Sequence, residues 1–100
     1  MNKTKINTLI QFAIRSKSIC FKQTLGFNVY KRRVFLIVVA SDISQNSRDD
    51  IDSIKKNIPC ITLYSKVELG ELFSKAEVSG FGIMNVNIAK EINKLVKEEE

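Results

Sequence analysis

With 100 residues, 44% of them hydrophobic and 27% charged, the chain has the length and composition of one globular domain stabilised by packing. Histidine is absent, which excludes a Ser-His-Asp triad, a Cys-His pair and a histidine-ligated zinc built from this chain alone. The net charge of +5 is unevenly placed: residues 1–41 carry eight basic side chains and no acid, while residues 42–100 carry eight basic and eleven acidic ones. That asymmetry favours a polyanion partner, with a merely solvated basic face as the plain alternative.

In chain order, Leu9, Ile10, Phe12, Ala13 and Ile14 recur at three- and four-residue spacing and predict an amphipathic helix over residues 6–15. Residues 18–21 form a short apolar run suited to a strand, and residues 22–31 suit a helix that Gly26 weakens. The β-branched and aliphatic run at 33–40 predicts a strand buried on both faces at the centre of a sheet. A helix is expected over 47–57, with Asp49 and Asp50 in its first turn, and a strand over 60–64 after Pro59. Strand, helix and strand in that order predict a right-handed parallel unit.

Ser65 and Glu68 fit a capping box that opens a short helix with Leu69, Leu72 and Phe73 inward. Residues 75–77 should turn the chain into a strand at 78–84, where Gly80 and Gly82 alternate, and Ile88, Ile92, Leu95 and Val96 mark a last amphipathic helix. The alternation argues a three-layer α/β/α sandwich around a small mixed sheet of about four strands. A single domain over residues 1–100 is expected, its acidic end at 98–100 frayed. Loops at strand ends form the sites of such sheets, which directs attention to residues 41–46, 64–66 and 75–79.

Several kinds of chemistry are missing. Gly80 and Gly82 lack the third glycine of a dinucleotide fingerprint and read as close packing of a strand against a helix. Asp42, Asp49, Asp50 and Asp52 resemble a metal cluster, but three fall where helix capping explains them. Cys20 and Cys60 lie far apart with no C-x-x-C spacing and read as small buried hydrophobes in a reducing compartment. No cofactor, metal or small-molecule substrate is expected. No apolar stretch is long enough to cross a bilayer, and the polar start does not suit a signal peptide, so a soluble, intracellular protein is expected.

The residues Leu36-Ile37-Val38-Val39-Ala40-Ser41-Asp42-Ile43-Ser44 before a helix, then Ile58-Pro59 before a strand, then Glu68-Leu69-Gly70 stand in one register. Together they resemble the kink-turn RNA-binding ribosomal protein superfamily, the L-seven-Ae and L-thirty-e fold, and within it the small bacterial YlxQ-type proteins. Where the family pattern ends its short helix in Gly-Lys, this chain has Ser74-Lys75. The family's glycine before the second helix is replaced by Phe21 or Lys22, and Val78 stands where close members often carry arginine.

The resemblance implies a non-enzymatic, cytoplasmic L-thirty-e-like sandwich that presents one edge to structured RNA, ribosomal or otherwise kinked, and is associated with the ribosome or another structured RNA; a monomer is expected. The implied contacts are Lys22 and Gln23 at the start of the second helix, Asp42 at the strand end, and Lys75, Glu77, Val78 and Ser79 in the loop before the last strand. The basic face would add Lys17, Arg32 and Arg33. Each basic residue taken singly also fits ordinary surface charge, Phe21 fits a core position better than a stacking platform, and Asp42 fits a strand-end turn equally well. The alternative of a different class is a protein-interaction module of the same fold. Basic residues at 15–33 that gathered beside the 75–79 loop would favour RNA, and scatter would favour the module.

Overall fold

The computed structural model describes residues 3–97, so the expectation for the end at 98–100 lies outside the described residues. The elements are α1 (Lys3–Arg15), β1 (Ile19–Phe21), α2 (Lys22–Tyr30), β2 (Leu36–Val39), α3 (Gln45–Ile54), β3 (Cys60–Thr62), α4 (Lys66–Leu72), β4 (Gly80–Ile83) and α5 (Val86–Lys97). The four strands form one sheet in the order β1-β4-β2-β3. β2 and β3 run parallel, joined through α3, whereas β4 is antiparallel to both β1 and β2. The predicted mixed sheet and its central β2 are therefore present.

Side chains alternate across the pleat, and each face of the sheet is covered by helices. On one face Leu36, Val38, Ala40, Phe81 and Ile83 pack with Ile6, Ile10 and Ala13 of α1, Leu69 of α4, and Ile88, Ala89, Ile92 and Leu95 of α5. On the other, Cys20, Val34, Ile37 and Val39 meet Leu25 and Val29 of α2 and Ile51 of α3. These three layers are the α/β/α sandwich. Gly80 and Gly82 lie on the α2/α3 face, where a Cβ on Gly82 would stand 2.8 Å from Leu25 Cδ1 and 2.9 Å from Cys20 Sγ. The absent side chains let Leu25 of α2 pack on Gly82 and Ile51 of α3 pack on Gly80, the close strand-to-helix packing the sequence suggested.

Three expectations shift. The buried stripe of α1 runs through Ile6, Ile10 and Ala13, so Phe12 is turned outward and 62% exposed. The fully buried strand begins at Leu36 rather than residue 33, leaving Arg33 and Phe35 exposed before it. α3 starts two residues early because Ser44 caps it by accepting from Ser47 N, which moves Asp49 and Asp50 out of the first turn. The first turn of α3 then holds no acid, so the dipole does not account for these aspartates. They face neighbours instead: Asp49 accepts from Gln45, and Asp50 pairs with Lys22.

The capping box forms as expected, with Ser65 Oγ accepting from Glu68 N at 3.2 Å and Glu68 Oε1 accepting from Ser65 N at 3.0 Å. At the other ends, α1 to α4 are each followed closely by a non-glycine residue in the left-handed region, Lys17 (φ 56), Arg32 (φ 59), Lys56 (φ 51) and Ser74 (φ 58). Glycine is the usual occupant of such positions. Ser74 is the very place where the resembled pattern has it.

Candidate nucleic-acid interface

β1 passes into α2 with no linker. Phe21 is both the last strand residue, paired with Phe81, and the N-cap of the helix, in an extended conformation (φ −92, ψ 174) that needs no glycine. A phenyl ring cannot accept a hydrogen bond, so no side chain caps α2, and its first turn carries no acid. The start of this nine-residue helix therefore presents partial positive charge and amide donors to any anion placed before it.

The facing wall is the loop before β4. Val78 N donates to Lys66 O, Lys66 Nζ pairs with Glu77 at 3.6 Å, and Ala40 N donates to Ser79 O. Asp42 Oδ1 accepts from Lys66 N at 2.8 Å, and Ser41 N donates to Tyr64 O, so the three strand-end loops are laced into one rigid edge. Lys75 Nζ stands 4.3 Å from the Phe21 ring centroid, a cation-π contact. Phe73 meets Phe21 and Phe81 edge-on at 5.1 and 4.9 Å, fixing the ring beneath the ammonium. Phe21, Lys22 and Gln23 on one side and Lys75, Glu77, Val78, Ser79 and Gly80 on the other enclose a cleft of about 190 Å³.

Six of the residues selected from sequence thus line one cleft: Lys22, Gln23, Lys75, Glu77, Val78 and Ser79. Asp42 stands at the same end of the sheet and holds the start of α4. Gln23 is exposed, and its side-chain amide has no intramolecular partner among the described residues. Lys22 is tied to α3, pairing with Asp50 Oδ2 at 3.2 Å and donating to Ser47 Oγ at 3.2 Å. Both charges of that pair are well solvated, so exchanging Asp50 for another anion costs less than about 1 kcal/mol. Val78 is 5% exposed and belongs to the core, which leaves little of it for a base to pack on.

Lys17, Arg32 and Arg33 are placed elsewhere. Met84 N donates to Ser18 O and Phe35 N to Ile83 O, so these three exposed residues flank the Ile83 end of β4, opposite the Gly80 end that forms the cleft. The basic residues at 15–33 accordingly form two groups. Exposed Phe27 and Tyr30 were not singled out from sequence, although α2 buries Leu25, Asn28 and Val29 and a helical wheel through those positions turns 27 and 30 outward.

Burial raises both thiols above their ordinary range, with Gly82 and Asn28 partly offsetting it at Cys20, and with Arg48 and Lys55 partly offsetting it at Cys60. Both cysteines are free thiols, disposed against nucleophilic use. Tyr64 is also raised, by burial and then by Glu68. Among the described residues no group of three or more Cys, Asp or Glu side chains could hold a metal ion, and no helix is long and apolar enough to cross a membrane.

No protein-family model matches the chain. The chain is 25% identical over 99 residues to a curated protein of Enterococcus faecium named RNA-binding protein YlxQ, covering 96% of this chain and 95% of that one. It also resembles a solved structure of a protein with unknown function from Bacillus halodurans C, with a TM-score of 0.80 at 19% identity, over 93% of this chain and 97% of the other. The second likeness supports the fold.

Proposed function

We propose that this protein binds structured RNA without catalysing a reaction, and that the cleft between the start of α2 and the 75–79 loop is where it does so. The observation that carries this is the uncapped, acid-free N-terminus of α2 facing Lys75 across the cleft, beside a glutamine amide with no intramolecular partner. The similarity to an RNA-binding protein supports it. A phosphate at the helix start gains amide donors and the Lys22 and Lys75 ammonium groups, while Gln23 both donates to and accepts from a base edge. Phosphates that converge from two directions occur where an RNA backbone is sharply bent, so the preferred ligand is a kink-turn or similarly bent RNA, in the cytoplasm and in ribosomal RNA or another structured RNA. The protein acts as a single-domain monomer and draws a flexible RNA toward its bent state by binding that state best.

Lys17, Arg32 and Arg33 stand away from this cleft, which favours the alternative, a protein-interaction module of the same fold. Fluorescence anisotropy with a kink-turn RNA and a straight duplex of equal length, at two salt concentrations, separates the two. Preference for the kinked RNA at the higher salt, reduced about tenfold by Gln23→Ala with duplex binding unchanged, is the expected result. Equal and salt-sensitive binding to both ligands would reduce the function to phosphate affinity, and no binding at either salt would favour the interaction module.

A further inference from the structure

We infer that the outer face formed by the C-terminal ends of α2 and α3 is a second nucleic-acid surface, which takes an unpaired single strand by stacking its bases on Phe27 and Tyr30. The two rings are 58% and 70% exposed and stand one turn apart on the same side of α2. Cations are interleaved with them: Lys31 Nζ lies 5.6 Å from the Phe27 centroid and 5.9 Å from that of Tyr30, and Lys56 Nζ lies 5.7 Å from Tyr30. Arg32 and Arg33 follow directly in the chain and are exposed. No carboxylate pairs with any of these four cations among the described residues.

The negative ends of two helix dipoles account for cations here, but not for two solvated rings. Ring faces flanked by ammonium groups, with two exposed guanidinium groups next in the chain, are what a single strand requires, since every base has a face to stack and every nucleotide a phosphate to neutralise. A protein partner fits less well, because the centres of protein interfaces are poor in lysine and here lysines sit over the rings themselves. A bilayer fits less well too, because the exposed face of α2 begins with Gln23 and Thr24 and has no continuous apolar stripe. Along α2 the rings stand four and seven residues beyond the cleft residue Gln23, about 6 and 10 Å at 1.5 Å per residue, or roughly two to three stacked nucleotides. The surface stands or falls independently of the cleft.

The chain has no tryptophan and two tyrosines, so in a Tyr64→Phe background Tyr30 is the only tyrosine left to report. Titration with a short uridine oligonucleotide should quench Tyr30 emission, and Phe27→Ala should weaken that binding about tenfold. Tyr30→Ala, followed by anisotropy of a labelled oligonucleotide, should cost a similar factor. Both side chains lie outside the core, and unchanged thermal melts would confirm that the variants fold. Unaltered affinity in the Phe27→Ala/Tyr30→Ala variant, or binding without quenching, would overturn the inference. So would a Tyr30 response to anionic phosphatidylglycerol vesicles with none to the oligonucleotide.

Discussion

Replacing Gly82 with alanine would set a methyl carbon 2.8 Å from Leu25 Cδ1, 2.9 Å from Cys20 Sγ and 3.1 Å from Val34 Cγ1. Ordinary carbon contacts lie near 3.5–4.0 Å, so the side chains of Leu25, Cys20 and Val34 must give by roughly 0.5–1 Å, which forfeits a quarter to a half of the dispersion energy across the contacts they leave. Overpacking of this kind costs about 1–3 kcal/mol, and the alanine recovers about 0.4–1 kcal/mol through the unfolded chain, so a net loss near 1–2 kcal/mol is expected. Gly26 is the matched control. Its Cβ would meet only Ile54, at 3.7 Å, and in a helix interior Gly26→Ala should gain about 0.5–1 kcal/mol. Urea denaturation of the two variants reads both signs, and the thermal midpoints should move in opposite directions by about 4–8 °C per kcal/mol. A neutral or stabilising Gly82→Ala would refute the close packing of Leu25, Cys20 and Val34 around Gly82.

Ser74→Gly should stabilise the protein by about 0.5–1 kcal/mol, because a left-handed residue with a Cβ carries a cost of about 1–2 kcal/mol that glycine avoids at some expense in chain entropy. A lower urea midpoint for that variant would show that the serine makes up the strain elsewhere. Both thiols are raised above their ordinary value of 9.0 by burial, so their contribution to stability is complete below that pH and is lost as pH rises through their folded values. Urea midpoints should therefore fall in alkaline solution, and Cys20→Ala should make the decline shallower. An identical decline in that variant would assign it to other groups.

Much of the fold is legible wherever one physical demand dominates the local sequence. The run at 36–40 can satisfy its burial only between two layers, and Ser65 with Glu68 satisfies two helix-end donors at once, so both were readable. The start of α3 was not, because Ser44 and Ser47 are equally good caps by residue type, and the structure uses Ser44, which accepts from Ser47 N. Site residues beside strand ends were legible for the same reason that loops at such ends converge. The pairing of Lys22 with Asp50 depends on how α2 lies along α3, and the removal of Lys17, Arg32 and Arg33 to the far end depends on β1 running antiparallel to β4. Local periodicity carries neither relation.

The place of β4 in the sheet bears on how the protein is made. This strand comes last of the four along the chain, yet it lies between β1 and β2, which are not hydrogen-bonded to each other. A nascent chain that has emerged only through residue 79 holds β2 and β3 as a possible pair and β1 with no sheet to join. The helices on both faces then have no continuous surface to cover, because Phe81 and Ile83, which fill one face, are still missing. Vectorial synthesis therefore delivers about the first four-fifths of the chain before a stable core can close, and folding must follow as one late, cooperative step that waits on the sequence-distant pairing of β4 with β1 and β2.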